Sequence, residues 1–232
     1  MLRKLRNKLP KRRAWRPSAE VFDSYVSSAP RLQNAVDAIS GWSSAFPPGC
    51  GVSAGERKDY DDPRIRWAID CFGSLEGRSV LELAPGEAGH TFLLDSAGAR
   101  VDAIEPSRAG FIRCLVAKEV MRLTRSRFWL GDIERFLRDD DKAYDFVVAC
   151  DALRRFAEPL DFVALIARRA DAIFIHTQVA PQDGEAIRDE DRNVAPAPRR
   201  DDLIEALRKA GFSEIREADN GSSAALSVFA RK

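Results

Sequence analysis

A turn of small and acidic residues separates two apolar segments in the first half of the chain. It reads Glu82-Leu83-Ala84-Pro85-Gly86-Glu87-Ala88-Gly89, after the segment 79–81 and before 90–94. These segments predict a strand that ends in a tight turn, and the turn leads into a helix. The first N–H groups of such a helix and the positive end of its dipole attract ligand oxygens. Small residues let the backbone approach a ligand closely, so the turn predicts a nucleotide cradle; a purely structural turn is the alternative.

Further acids follow the next apolar segments. Glu105 ends the segment 101–104, 23 positions after Glu82, about where ribose-binding acids lie in βαβ units. Asp132 follows the third segment. Glu87 lies in the turn itself, with no Lys or Arg near it in sequence, and would repel a pyrophosphate. The acids therefore favour an adenosine cofactor that is cationic and lacks phosphate, and S-adenosylmethionine meets both conditions.

Each acid has an expected contact with that cofactor. Glu105 would accept hydrogen bonds from both ribose hydroxyls and Asp132 from the adenine amino group, while Ile133 would cover one face of the adenine. Asp132 alone is equally well explained as the cap of a helix over 133–137. Ala84 and Ala88 stand where dinucleotide fingerprints have glycine, which argues against NAD. The full predicted cofactor-binding set is Glu82, Ala84, Pro85, Gly86, Gly89, Glu105, Pro106, Asp132, Ile133 and Cys150.

The elements that must position these residues alternate along the chain. Five apolar runs predict strands over 79–83, 100–104, 127–130, 145–149 and 172–176, with helical patterns between them. Ser107 is the expected cap of one helix, and Pro159 lies in the first turn of another. Asp201 or Asp202 is expected to cap a later helix, before two strands over 213–217 and 224–229 joined by a turn. This order predicts an α/β fold: a doubly wound, mostly parallel Rossmann-like sheet with helices on both faces and an antiparallel C-terminal hairpin.

The segment before this core is predicted to form a helical cap. Residues 17–76 carry helical patterns over 19–28 and 31–39, then an irregular stretch over 41–51 rich in aromatics and prolines, and finally a helix capped by Asp62. Residues 1–16 contain eight basic residues and no acid, which predicts a flexible leader; weak contact with anionic membranes is the alternative. The predicted organisation is a leader over 1–16, a cap over 17–76 and a cofactor-binding domain over 77–232.

Composition excludes several classes of protein. The chain has 232 residues, 45% hydrophobic and 9% aromatic, which excludes wholesale disorder. No apolar run approaches the ~20 residues of a membrane span, and the leader lacks the apolar centre of a secretory signal, so a cytoplasmic protein is expected. The 4 cysteines are scattered, and only His90 and His176 could add imidazole ligands, so reduced thiols and no metal are expected. The core shows no evident basic and aromatic stripe, so stable nucleic-acid binding is not expected.

Several motifs together resemble the class I S-adenosylmethionine-dependent methyltransferases. They are Glu-x-x-Pro-Gly-x-x-Gly from Glu82, the acid Glu105, the pair Gly131-Asp132 and the strand 144–148, over roughly residues 60–232. The resemblance implies a seven-stranded sheet, with the cofactor at the carboxyl ends of the first strands and a methyl acceptor over the fourth and fifth. Trp42-Ser43-Ser44 and the segments 62–65, 89–91 and 114–119 are similar to a group of bacterial methyltransferases associated with glycan or polysaccharide gene neighbourhoods.

The acceptor side departs from those relatives. They tend to have Leu-Tyr-His after the fourth strand and Thr-His after the fifth, whereas this chain has Leu153-Arg154-Arg155 and Thr177-Gln178. Asp151 is the first candidate for a base or acceptor-orienting group and His176 the second, and each is equally explained as a helix cap or strand-end residue. The predicted acceptor-binding residues are His90, Arg154, Arg155 and Gln178, the arginines for a carboxylate or phosphate.

Taken together, the residues favour a methyltransferase that acts on an oxygen, or less readily a nitrogen, of a saccharide or other small molecule. The charged loop over 180–200 is a candidate acceptor lid. The departures at the acceptor side leave open a non-catalytic methyltransferase-like module that binds a partner, and an NAD-dependent oxidoreductase is a third alternative. The oligomeric state is left open.

Overall fold

The computed structural model describes residues 25–181, 197–219 and 224–232. The predicted leader, most of the helix predicted over 19–28, most of the 180–200 loop and the turn 220–223 lie outside the described residues. Residues 25–28, the end of that predicted helix, are not helical. Pro30 follows closely and disfavours helical backbone at the residue before it.

A seven-stranded sheet forms the centre of the protein. Its strands are β1 (Ser79–Leu83), β2 (Arg100–Glu105), β3 (Ser126–Leu130), β4 (Tyr144–Cys150), β5 (Ala170–Gln178), β6 (Glu214–Glu217) and β7 (Ala225–Arg231), in the order β3-β2-β1-β4-β5-β7-β6. The first five strands are parallel, and β7 runs antiparallel to both β5 and β6. The strand order reverses direction between β1 and β4, and in such sheets a ligand crevice opens there, outside the carboxyl ends of the strands.

Helices cover both faces of this sheet. The described residues contain α1 (Leu32–Asp37), α2 (Pro63–Phe72), α3 (Gly89–Ser96), α4 (Arg108–Met121), α5 (Ile133–Asp139), α6 (Pro159–Ala167) and α7 (Arg200–Lys209). One face packs its apolar side chains against α2 and α3, and the other packs against α5, α6 and α7. No helix among the described residues is long and apolar enough to cross a bilayer.

The doubly wound, seven-stranded sheet predicted from the sequence is confirmed. Each of the five parallel strands lies within two residues of its predicted limits, and the C-terminal pair is antiparallel as expected. The predicted caps Asp62 and Ser107 accept hydrogen bonds from the N–H groups of Arg64 and Gly110.

The expected cap of α7 is wrong. That helix begins at Arg200, preceded by Arg199 without a side-chain cap bond, so Asp201 and Asp202 lie inside the first turn. Carboxylates in this position stabilise the helix through its dipole instead of through a hydrogen bond to a free N–H.

The segment before α2 packs against α3 and α4. Val36 and Phe46 join Ala88, Cys114 and Ala117 in one buried apolar cluster. The indole Nε1 of Trp42 donates to the carbonyl of Val36 at 3.0 Å. The aromatic and proline-rich stretch therefore forms an ordered layer beside the turn that follows β1.

Candidate active site

The turn after β1 adopts a backbone that non-glycine residues rarely accept. Ala84, Gly86 and Ala88 all have positive φ angles, of 56°, 65° and 63°. A Cβ atom built on Gly86 would meet no atom of the described residues within 4 Å, so space is open beside it. Strained backbone that persists in a native fold is concentrated at ligand sites, and here it lies at the carboxyl end of the central strand.

Glu105 ends β2 beside this turn. Its Oε2 accepts the N–H of Gly86 at 2.9 Å, and its Oε1 accepts the N–H of Ser107 at 2.8 Å. The residue is only 3% exposed, and a Cβ on Gly110 would lie 2.8 Å from its Cδ, so the carboxylate is held rigidly. Each carboxylate oxygen can accept more than one hydrogen bond, so Glu105 retains acceptor capacity for a ligand.

Glu82 is buried within β1, directly before the turn. Its Oε2 accepts the hydroxyl of Thr91 at 2.5 Å, whereas its Oε1 is buried and has no hydrogen-bond partner among the described residues. Burial raises the pKa of this carboxyl, and the neighbouring His90 opposes that shift only in part. A buried acceptor without a partner is costly, and it fits a site where a ligand supplies the missing donor.

Gly89 is required for the packing of another segment. A Cβ at this position would lie 2.5 Å from the Cβ of Asp59 and 2.9 Å from its backbone carbonyl carbon. Glycine is therefore required because the short 3-10 helix Asp59–Asp61 packs against the start of α3. Of the two glycines predicted to admit a ligand, only Gly86 faces open space.

The interpretation of Glu87 as an acid facing the ligand is wrong. Its carboxylate accepts the backbone N–H groups of Ser43 and Ser44, at 3.1 and 2.7 Å, and the hydroxyl of Ser43 at 3.0 Å. Arg113 lies 3.6 Å from it. The charge is thus neutralised within the protein, and Glu87 fastens the Trp42-Ser43-Ser44 segment to the turn. The sequence concealed this because Arg113 is distant along the chain.

The other predicted cofactor residues lie along the same edge of the sheet. Asp132 is exposed and caps α5, because its Oδ1 accepts the N–H of Arg135 at 2.8 Å, which confirms the capping interpretation. Ile133 is buried in the core beneath it, and Pro106 directly follows Glu105. Burial raises the pKa of the Cys150 thiol well above its usual range, so Cys150 remains a neutral thiol at the end of β4.

Both histidines and a group of charged side chains meet beyond the ends of β1, β4 and β5. Asp62 Oδ2 lies 2.9 Å from His90 Nε2 and 2.6 Å from Arg64. Arg64 also lies 3.5 Å from Asp151, whose Oδ1 is 3.9 Å from His176 Nε2. One arginine therefore bridges two acids, each of which faces a histidine.

The electrostatics of this cluster assign the charge states. Burial would raise the pKa of Asp62, but hydrogen bonds from His90 and Arg64 hold it far below its usual range. Burial and the Arg64 charge lower the pKa of His176, so this imidazole is neutral near pH 7. His176 Nδ1 lies 2.7 Å from the hydroxyl of Ser227 on β7, and its Nε2 faces the exposed Asp151. Asp151 has a φ of 55°, a further strained position.

The structure groups some predicted acceptor-side residues and separates others. His90, Asp151 and His176 belong to one cluster, whereas Arg155 is exposed on the 3-10 helix Leu153–Arg155 and Gln178 is exposed at the end of β5. The side chain of Arg154 lies outside the described part of the protein. Sequence reasoning missed the roles of Arg64 and Ser227, and it identified Asp62 only as a helix cap. The 62–65 segment was the signal that could have directed attention to Arg64.

Asp59, Asp62 and His90 have ligand atoms within 4.8 Å of one another, a spacing that suits a metal ion. However, Asp59 is already bound by Arg57 and by the hydroxyl of Ser44, while Asp62 is bound by Arg64. Both carboxylates are therefore neutralised by arginine, which disfavours a cation there. The absence of a metal stays a prediction.

Several solved structures share this architecture. The N-terminal domain of EvdMO1, crystallised in the presence of SAH and D-fucose, has a TM-score of 0.68 at 20% identity and aligns over 86% of this chain and 95% of its own. Magnesium protoporphyrin IX methyltransferase from Synechocystis PCC 6803, with bound SAH, has a TM-score of 0.57 at 18% identity over 72% of this chain and 80% of its own. A SAM-dependent methyltransferase from Aquifex aeolicus has a TM-score of 0.56 at 19% identity and aligns over 75% of this chain and 95% of its own.

These likenesses show that the chain has the Rossmann-like methyltransferase fold. No protein-family model matches the sequence, and a search of curated proteins found no match.

Proposed function

We propose that this protein is an S-adenosylmethionine-dependent methyltransferase that methylates a hydroxyl of a saccharide or other small molecule. The observation that carries the proposal is the buried Glu105 carboxylate, held at the end of β2 against the N–H of Gly86 in the strained turn. A fixed acceptor at this point suits the two hydroxyls of a ribose. The proteins that share this fold include ones crystallised with SAH or SAM.

The residues of the turn fit the rest of the cofactor. The open space at Gly86 would let the cofactor lie close to the protein backbone. The unpartnered Oε1 of Glu82 would accept a hydrogen bond from the ammonium group of the methionine moiety. Asp132 and Ile133, at the start of α5 further along the same edge, would contact the adenine in this proposal. S-adenosylmethionine supplies an electrophilic methyl group, so the protein needs chiefly to align the acceptor and exclude water.

His176 is the better placed base for an acceptor hydroxyl. Its pKa is lowered by burial and by Arg64, so the imidazole is neutral and can accept a proton near pH 7. If Nδ1–H donates to Ser227, the lone pair lies on Nε2, toward Asp151 and the crevice. Asp151, 61% exposed at its side chain, would orient the acceptor and stabilise the imidazolium that forms.

A saccharide acceptor is supported by the polar character of this crevice. Hydroxyl-rich ligands are recognised by polar side chains that donate or accept hydrogen bonds, and His90, Asp151 and His176 offer such groups. The EvdMO1 domain with the same fold was crystallised in the presence of D-fucose.

Calorimetric titration with S-adenosylmethionine tests the cofactor proposal. The wild type should bind, and Glu105→Gln should weaken binding by about tenfold or more because one fixed carboxylate oxygen becomes a donor. Glu119→Gln, an exposed change on α4, is the matched control and should bind as the wild type does. Absence of binding by the wild type at millimolar cofactor would refute the proposal.

Methyl transfer to a panel of monosaccharides that includes D-fucose tests the proposed saccharide acceptor. Release of S-adenosylhomocysteine should fall about 100-fold in His176→Asn, while the dissociation constant of S-adenosylmethionine stays unchanged. Cofactor binding without turnover on any acceptor would favour the non-catalytic module.

A further inference from the structure

A second cavity opens at the amino ends of the parallel strands, at the edge of the sheet opposite the candidate active site. Its volume is about 530 Å³, within the range of small-molecule pockets. Among the described residues, five cationic side chains and one carboxylate line it: Arg100, Lys118, Arg125, Arg127, Lys142 and Asp102. This edge holds none of the residues assigned above to cofactor or acceptor.

The single carboxylate in this cavity is already bound. Asp102 accepts from Lys142 at 2.5 Å, from the hydroxyl of Tyr144 at 3.1 Å and from the indole of Trp129 at 3.4 Å. Burial, followed by the adjacent Asp102 charge, raises the pKa of Tyr144, so the phenol keeps its proton and remains a donor. Asp102 therefore offers little compensation to the remaining cations.

Three arginines of the lining, Arg100, Arg125 and Arg127, form no salt bridge among the described residues. The register pairs Asp102 with Arg127, and the N–H of Val101 donates to the carbonyl of Arg125 at 3.1 Å, which places Arg100 beside Arg125, the residue directly before β3. Residues 100 and 102 on β2 and residues 125 and 127 at β3 share one face of the sheet, because side chains alternate along a strand. Like charges opposite one another on a sheet are destabilising, so the Arg100 and Arg125 pair lowers stability unless an anion is bound.

The remaining cation approaches from another element. Lys118 on α4 donates its ammonium to the carbonyl of Ser126 at 2.6 Å, which fixes the group at the rim and leaves its other two hydrogens available. Guanidinium groups bind phosphate oxygens in pairs, and an ammonium adds a point charge. Cations that converge from β2, β3 and α4 on one cavity match a compact, multiply charged anion better than an extended chain.

We propose that this cavity binds the phosphate groups of a small phosphorylated ligand. The phosphates lie between Arg100, Arg125 and Arg127, with Lys118 at the rim. The proposal is independent of methyl transfer, because the two sites occupy opposite edges of the sheet.

Calorimetry with inorganic pyrophosphate at low salt tests it without S-adenosylmethionine. The wild type should bind, and the double variant Arg125→Gln/Arg127→Gln should bind at least about tenfold more weakly. The double variant Arg135→Gln/Arg208→Gln removes the same charge from exposed positions outside the cavity and should retain wild-type affinity. Uridine diphosphate, titrated in parallel, distinguishes a nucleotide ligand from free diphosphate. Binding tighter than that of pyrophosphate would identify a nucleotide, and equal binding would identify free diphosphate. Both results support the proposal.

Thermal unfolding supplies a second readout. Without added anion, the Arg125→Gln/Arg127→Gln variant should be at least as stable as the wild type, because the repulsion between Arg100 and Arg125 is relieved while Asp102, opposite Arg127, keeps its ion pair with Lys142. Pyrophosphate should raise the melting temperature of the wild type more than sodium chloride of equal ionic strength does, and this difference should vanish in the variant. The proposal is overturned by no binding to the wild type, by equal losses in the two double variants, or by binding of single-stranded RNA without binding of pyrophosphate.

Discussion

Replacing Glu87 by glutamine distinguishes a structural role of this carboxylate from a ligand-facing one. The residue is 9% exposed, and its carboxylate receives three donors from Ser43 and Ser44, with Arg113 3.6 Å away. The Glu87→Gln substitution would keep the shape of the side chain but remove its charge and turn one acceptor into a donor. Hydrogen bonds to a charged group contribute about 1.5–3 kcal/mol each, and one of them must be lost. We therefore expect the variant to be destabilised by about 2 kcal/mol.

The assay is thermal unfolding together with cofactor titration. For a chain of this size, 1 kcal/mol shifts the melting temperature by about 2–4 °C, so Glu87→Gln should lower it by about 4–8 °C. Its affinity for S-adenosylmethionine should stay within about threefold of the wild type, because the charge faces the 42–44 segment and is offset by Arg113. Glu119→Gln is the control, with an expected change below about 0.5 kcal/mol.

The opposite pattern would refute this reasoning. An unchanged melting temperature combined with a tenfold or greater loss of cofactor affinity, about 1.4 kcal/mol, would mean that Glu87 faces the ligand as its position in the turn suggests.

Three further predictions concern the same edge of the sheet. Gly89→Ala should destabilise the protein by about 1–2 kcal/mol, because the overlap with Asp59 outweighs the better helix propensity of alanine; a melting temperature at or above that of the wild type would contradict this. Asp62 has a folded pKa far below its unfolded value, so its stabilisation is present above about pH 4 and lost as the pH falls further. The Asp62→Asn variant keeps a good helix cap, so its free energy of unfolding in denaturant titrations should fall less than that of the wild type between pH 5 and pH 2. Parallel curves for the two proteins would contradict this expectation. The pKa of His176 is lower in the folded protein than in the unfolded chain, so its contribution to stability is lost as the pH falls below about 6.5. The unfolding free energy of His176→Asn should therefore decline less than that of the wild type from pH 7.5 to pH 5.5. Equal slopes would exclude a buried neutral histidine.

Local patterns were sufficient to predict the sheet. The apolar segments of β1, β2 and β4 are short and bounded by turn residues, so their type and limits follow from neighbouring residues alone. The caps Asp62, Ser107 and Asp132 were identified for the same reason, since each bonds an N–H only two or three positions along the chain. The start of α7 was predicted too late along the chain, because several consecutive polar residues suit a helix cap equally well and Asp201 and Asp202 are among them.

Long-range partners could not be predicted in this way. Glu87 and Gly89 have local surroundings that suit a ligand turn, yet their contacts are with residues 43–44 and 59–60, brought there by the packing of the N-terminal segment on α3 and α4. The pairing of Arg64 with both Asp62 and Asp151, and that of His176 with Ser227, likewise join residues from separate elements.

The sequence by itself determined the order of strands and helices, the tight turn after β1 and the acid at the end of β2, because each depends on residues that are neighbours along the chain. Only the tertiary structure decided which acids face the crevice, which histidine is neutral and where uncompensated arginines gather. Those properties depend on burial and on charges a few ångströms away in space, and these distances exist only after the chain has folded.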